Sequence, residues 1–332
     1  MFYKEQVKIE RYRPEHKKSW DDFVVSSKNG TFMHFRDFVE YHRERFDDHS
    51  LLVWNHKNKL VALLPAHQQD NVFNSHLGLT YGGFVSDENM KMPLMLVIFQ
   101  QTISYLKEND FQKVMYRPIP KIQHKLPSDE DIYALFLCGA KLVSRHVCPV
   151  IDCRHKLKFQ KTRINCIQTA RKHGLIVRKS EDIKSYWDIV TDLLRHYNSK
   201  PVHMLEEIEE IEYLHDRFPQ NIKLFACYKE DTLIAGVLVF ESDQVAKIQY
   251  IAGNDEAKGV GAIDLIFDSL INQYYVNKPF IDFGATTTNG GYRLNKGLNF
   301  QKEGFGARTS LQDAYEIDLL SCDNEQLLGA LE

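Results

Sequence analysis

Apolar positions recur at helical spacing over residues 14–26, where Trp20, Phe23 and Val24 share a face, and over 35–46 through Phe38, Tyr41 and Phe46. The pattern then changes to two short apolar runs, 50–54 and 60–66. The polar turn Asn55-His56-Lys57-Asn58-Lys59 joins them, which predicts a β-hairpin. A long helix at 92–109, a strand at 113–117 and a helix at 129–138 complete the first half. The second half runs through the same order. Helices at 185–196 and 205–218 precede a hairpin of strands 222–228 and 233–240 about Lys229-Glu230-Asp231-Thr232. A strand at 246–252, a glycine-bearing turn, a helix at 262–273 and a strand at 280–284 follow. The residues themselves do not repeat; the architecture does. Two α/β domains are the expectation, residues 1–155 and 156–332, each a mixed, largely antiparallel sheet flanked by helices. A basic helix at 156–173, with Lys156, Lys158, Lys161, Arg163, Arg171 and Lys172, links them through a solvated face or one turned to an anion.

Composition is consistent with this reading and narrows the function. A chain of 332 residues accommodates two ordinary domains, and 43% hydrophobic with 12% aromatic residues suffices for two cores. Lys plus Arg number 42 against 45 Asp plus Glu, a formal charge of −3, which argues against a dedicated nucleic-acid binder, so no DNA partner is expected. The run 93–99 falls far short of the roughly 20 apolar residues that cross a bilayer. Met1-Phe2-Tyr3-Lys4-Glu5-Gln6 carries no signal-peptide pattern. The expectation is a cytoplasmic chain with no transmembrane segment and six reduced cysteines. His146, Cys148, Cys153 and His155 match no common zinc-finger spacing, and 145–153 alternates as a strand, so no metal is expected.

Chemistry concentrates after the 246–252 strand, where Gly259-Val260-Gly261 leads directly into a helix. Such a turn leaves backbone N–H groups unpaired at a helix N-terminus, where the dipole favours negative charge. Glycine lets a phosphate approach without a Cβ in the way, and a pyrophosphate is the natural guest. The segment has neither the Gly-x-Gly-x-x-Gly of a dinucleotide fold nor a Walker A Gly-Lys-Ser/Thr.

Together, the hairpin, the strand and Glu256-Ala257-Lys258-Gly259-Val260-Gly261 resemble the acyl-CoA loop of the GNAT superfamily, with Glu256 where that loop has Arg or Gln. The tandem arrangement is similar to the Fem-type branch, and more so to paired-GNAT proteins of surface-polysaccharide synthesis. Asn29-Gly30-Thr31-Phe32-Met33-His34, Tyr81-Gly82-Gly83-Phe84, Lys200-Pro201-Val202-His203 and Gln301-Lys302-Glu303-Gly304-Phe305-Gly306 carry that likeness. The resemblance implies two tandem GNAT-like domains. It also implies an N-acyltransferase moving an acyl group from acyl-CoA to an amine on a small or carrier-linked substrate, such as an amino sugar or cell-envelope precursor. Alternatives are a Fem-like transferase using aminoacyl-tRNA on a peptidoglycan-type precursor, and a catalytically silent binding protein on the same fold.

Under the first reading, Gln249, Tyr250, Ile251, Lys258, Gly259, Val260, Gly261 and Ala262 hold the donor. Amine attack on a thioester needs both partners held together and a proton removed from the amine. His203, Asp282 and Glu303 are the candidates for that proton. His203 titrates near neutrality, and Asp282 alternates with Ile281 and Phe283 and so points away from them. Arg293 and Asn295, on the polar loop after Gly290-Gly291, and Tyr81 and Arg117 in the first half are candidates for gripping the acceptor. Oligomeric state stays open.

Overall fold

The computed structural model describes residues 6–75, 77–196, 208–323 and 326–331. The chain folds into two compact units, Met1–Arg145 with Gln312–Glu332, and His146–Leu311. The expected boundary at 155/156 and the assignment of the C-terminal stretch to the second domain are both displaced. The reason is strand pairing: residues 315–318 of the Arg308–Asp318 strand run antiparallel to Lys113–Tyr116 of the first unit. Likewise, residues 150–152 of the Lys141–Asp152 strand pair with Phe280–Asp282 of the second.

In the first unit, Val7–Arg11, Leu51–Asn55, Leu60–Leu64 and Val85–Ser86 form a four-stranded antiparallel sheet in that order. The Lys113–Tyr116 strand also pairs in parallel with Val72–Asn74, which forms a hairpin with His67–Gln69. The Met92–Glu108 helix turns Met95, Ile98, Phe99, Ile103 and Leu106 into the core, against Leu51, Val53, Ala62, Phe73 and Val114. The helix expected at 35–46 is only Arg36–Val39. Its aromatic periodicity instead serves a ring cluster: Phe38 packs edge-on to Tyr41 at 5.5 Å, and Tyr41 stacks on His42 at 4.1 Å. Arg36, fully buried, binds Glu40 and Asp48 and lies 3.6 Å from the Tyr12 ring centroid.

In the second unit the strand order is Ile176–Ser180, Ile222–Lys229, Thr232–Glu241, Val245–Gly253, Phe280–Asp282 and Lys141–Asp152. Each unit therefore presents an edge strand, a hairpin and a further antiparallel strand; the hairpin of each unit is what the pattern predicts, and the two edge strands are not. One face packs Val237, Val239, Ala246, Ile248 and Ile281 against Ile167 and Ala170 of the Lys161–Lys172 helix and Leu265 and Ile266 of the Ala262–Ser269 helix. The Ile183–His196 helix covers the other, with Trp187 edge-on to Tyr250 at 5.1 Å. Gly236 is required there, since a Cβ would stand 2.5 Å from the Tyr186 ring. The basic helix begins at Lys161 rather than 156, and two of its cations pair with the Ala262–Ser269 helix: largely buried Arg163 with Asp264 and exposed Arg171 with Asp268, both at 2.7 Å. Among the described residues no helix is long and apolar enough to cross a membrane.

One buried acid of the first unit makes its stability pH-dependent. Asp131 accepts a 2.7 Å hydrogen bond from Tyr116, and burial pushes its carboxyl up to about 7 against the pull of that bond. Between about 4, the unfolded value, and about 7 the folded chain holds a proton the unfolded chain has lost. Stability therefore falls as pH rises through this window and levels off above it. Denaturant unfolding from pH 4 to 8 is expected to show that decline in the native protein and a flatter profile in Asp131→Asn.

Candidate functional site

The Val245–Gly253 strand differs on its two edges. Against Thr232–Glu241 the register slips, with Leu238 opposite Tyr250 and Val239 opposite Ile248, so Gln249 is the extra residue of a β-bulge. The Gln249 side-chain oxygen is buried without a hydrogen-bond partner among the described residues. On the other edge the strand runs parallel to Phe280–Asp282 for three residues only, ending at Lys247 opposite Asp282. There the two chains part. The Phe283 N–H goes to Pro149 O at 3.0 Å, and the Gly284 N–H goes to the Asp282 carboxylate at 2.8 Å, with Gly284 at φ +70°. Beyond Lys247, the strand keeps no strand partner on this edge among the described residues.

At the C-terminal end of the same strand stands the glycine loop. Asn254 caps the short Asp255–Ala257 turn, accepting from the Ala257 N–H at 3.2 Å. Gly259 at φ +75° and Gly261 at φ +79° then swing the chain into the Ala262–Ser269 helix, with Gly261 as N-cap. The two glycines serve different ends. A Cβ on Gly261 would stand 2.2 Å from the Cys166 carbonyl oxygen, whereas one on Gly259 would meet nothing within 4 Å. The N–H groups of residues 259–263 have no protein acceptor among the described residues. Glu256 pairs with Lys229 at 3.2 Å, and the Lys258 ammonium reaches Asp255 at 2.6 Å. Asp264, in the helix's first turn, is raised by burial and held by Arg163.

Where the strands part, the face opposite Ala246, Ile248 and Ile281 carries a buried polar cluster. Lys247 Nζ lies 3.5 Å from Asp282 Oδ2. Lys302, on the Lys296–Glu303 helix and 4% exposed, donates to Phe283 O at 2.6 Å and Gly284 O at 3.2 Å. Burial and the neighbouring Lys247 charge bring the Lys302 ammonium down to about 8, against the pull of Asp282. Cys148, on the adjacent strand, is pushed up to about 12 by burial and by Asp282.

The sequence-derived candidates thus separate. Asp282 joins the cluster, and Gln249, Tyr250, Ile251, Lys258, Gly259, Val260, Gly261 and Ala262 form one continuous strand, loop and helix start. Within it, Ala262 is buried and Tyr250 packs on Trp187. Glu303 is half-buried at the end of the Lys302 helix, and His203 lies outside the described residues. Asn295 is that helix's N-cap, accepting from the Leu298 N–H at 3.0 Å, and Arg293 is exposed on a two-residue strand paired with Thr288. In the other unit, Tyr81 is 1% exposed and donates to Thr31 at 3.3 Å, which makes it a core residue. The main chain of Arg117 bonds Ser75 and Gly82, and burial lowers its half-buried guanidinium. Lys247 escapes the sequence reading, and Lys302 enters it only as part of the motif at 301–306, not as a proton-transfer candidate. Lys247 had a signal, a single charge interrupting the apolar run Val245-Ala246-Lys247-Ile248. Cys148 is a buried strand residue, and no group of three or more His, Cys, Asp or Glu among the described residues is placed to hold a metal ion.

No protein-family model matches the sequence, and no curated protein does. Solved structures do match. FemX aligns over 98% of this chain and 99% of its own at 11% identity and a TM-score of 0.65. The L-PGS structure from Bacillus licheniformis covers 97% of this chain and 95% of its own, at 12% identity and a TM-score of 0.63. A tandem GNAT protein from the clavulanic acid biosynthesis pathway, solved without AcCoA, covers 96% and 100% at 9% identity and a TM-score of 0.51. At such identities the likeness concerns the fold alone: the chain has the fold of the FemX structure and of the tandem GNAT protein.

Proposed function

We propose that the chain is an acyltransferase that passes an acyl group from acyl-CoA to an amine, with its donor site in the second unit. One observation carries the reading: the strands of residues 245–253 and 280–282 part beside a run of unbonded N–H groups at a helix start. The opening suits an extended thioester arm that takes over the lost strand edge. The glycine loop suits its pyrophosphate, which the helix dipole and the free N–H groups favour. The solved structures of like fold support a transferase, and the paired GNAT-like units support acyl transfer within that class. An amino sugar or carrier-linked cell-envelope precursor is the acceptor class we favour.

Lys302 is the group we assign to proton transfer. A neutral amine has two N–H bonds and one lone pair. Two carbonyls, those of Phe283 and Gly284, take the two N–H bonds, which leaves the lone pair free. As the acceptor's nitrogen bonds to the thioester carbon, Lys302 takes the ammonium proton, and the C–S bond breaks with that proton returned to the leaving thiolate. Asp282 keeps Lys247 charge-balanced beside it. Glu303 and His203 are the other candidates for taking that proton.

Two measurements test this. Gly259 is the position to vary, because Asn and Asp both tolerate its left-handed backbone and differ in charge, whereas any Cβ at Gly261 strikes the Cys166 carbonyl. Calorimetric titration with acetyl-CoA should give saturable binding to the native protein and to Gly259→Asn, with Gly259→Asp weaker by about tenfold. No binding at millimolar acetyl-CoA removes acyl-CoA as the donor and leaves an aminoacyl ester. For Lys302, the rate should rise with pH to a midpoint near 8, where its amine becomes neutral. Lys302→Met should lose about 100-fold or more in turnover. Lys302→Arg, which keeps the charge but cannot accept a proton, should be equally slow; an active arginine variant would make the role electrostatic instead.

A further inference from the structure

The second unit holds a cavity of about 430 Å³ at the opposite end of the Val245–Gly253 strand from the glycine loop. Its floor is a charged triad. Glu241 accepts from Lys223 at 2.7 Å, from Lys278 at 2.8 Å and from the Tyr275 hydroxyl at 3.2 Å. Burial would raise the Glu241 carboxyl, but the two lysines outweigh it and hold the group below its ordinary value. Two ammonium groups thus share one carboxylate. Lys179 adds a third cation, paired with the exposed Glu181 at 3.1 Å, and Asp243 is the other acid of the lining. The wall is aromatic. The helix that begins at Ala262 does not finish regularly, since the Tyr275 N–H reaches Leu270 O at 2.8 Å to close a π-turn over Leu270–Tyr274. Turns of this kind cluster at functional sites. This one presents Tyr274, 44% exposed, with its ring supported at 4.6 Å by buried Phe225.

We propose that this cavity is a second ligand site, taking a planar ring that carries one phosphate, of which a nucleoside monophosphate is the simplest example. The ring lies on Tyr274, as bases stack on exposed aromatic faces. The phosphate sits toward Lys179, Lys223 and Lys278, displacing Lys179 from its exposed partner Glu181, while Glu241 stays bound to the other two lysines. None of these residues belongs to the proposed donor loop or to the Lys302 cluster, so the site stands or falls apart from acyl transfer.

The test is calorimetric titration of the full chain with AMP and UMP, with adenosine and inorganic phosphate alongside. Saturable nucleotide binding is expected, weakened by about tenfold in Tyr274→Ala, in keeping with the loss of one stacked base, and weakened also in Lys179→Glu. Binding should be unchanged in Gly259→Asp. Lys179→Glu alters a solvent-facing side chain, so it keeps the test decisive if Tyr274→Ala folds poorly. Absence of saturation at millimolar nucleotide overturns the proposal. So does binding that Gly259→Asp abolishes and Tyr274→Ala leaves intact, because the nucleotide then occupies the glycine loop. Inorganic phosphate binding as tightly as AMP overturns the ring-stacking assignment.

Discussion

When two parallel strands separate inside a folded unit, the carbonyls they leave behind need new donors, and much of the second unit is arranged around that need. Phe283 and Gly284 leave the sheet directly after Asp282, and Lys302 supplies the hydrogen bonds their carbonyls would otherwise lack. Burying an ammonium group there is costly, and a nearby lysine raises the cost further. Asp282 offsets part of it, facing Lys247 across the last paired position. The helix bearing Lys302, its Asn295 cap and the left-handed turn at Gly284 all serve to bring one nitrogen to two carbonyl oxygens.

The glycine loop depends on a second constraint, close contact between two helices. Gly261 starts the Ala262–Ser269 helix against the Cys166 carbonyl of the Lys161–Lys172 helix. Arg163–Asp264 and Arg171–Asp268 then fix the pair along their length. The basic stretch is therefore only partly a solvated face. With the helix held from behind, its first N–H groups face outward on a rigid support, which is the preorganisation an anion site requires.

How much of this the residues disclose depends on how local the cause is. Both hairpins are legible, because two apolar runs about a polar turn encode their own pairing. The strand Arg308–Asp318 is not: it is mostly polar, Arg-Thr-Ser-Leu-Gln-Asp-Ala-Tyr-Glu-Ile-Asp, and distant partners decide its state. Edge strands such as Ile176–Ser180 hide for a similar reason, since solvent-facing Arg178 and Lys179 blur the alternation. Within the site, Gly259 and Gly261 announce the loop, but the lysine cluster exists only once three separate segments meet. Asn295, in a polar loop, reads as a ligand group from sequence, yet an Asn ahead of a helical run is first of all a cap.

The closing strand of the first unit also bears on synthesis. Lys113 meets its ion-pair partner Glu316 across a sequence separation of 203 residues. A ribosome must therefore make the whole second unit before the Lys113–Tyr116 strand acquires its antiparallel neighbour. Until then that strand presents an unsatisfied backbone edge, a template for unintended pairing with other chains. Arrival of the Arg308–Asp318 strand closes that edge and ends its exposure.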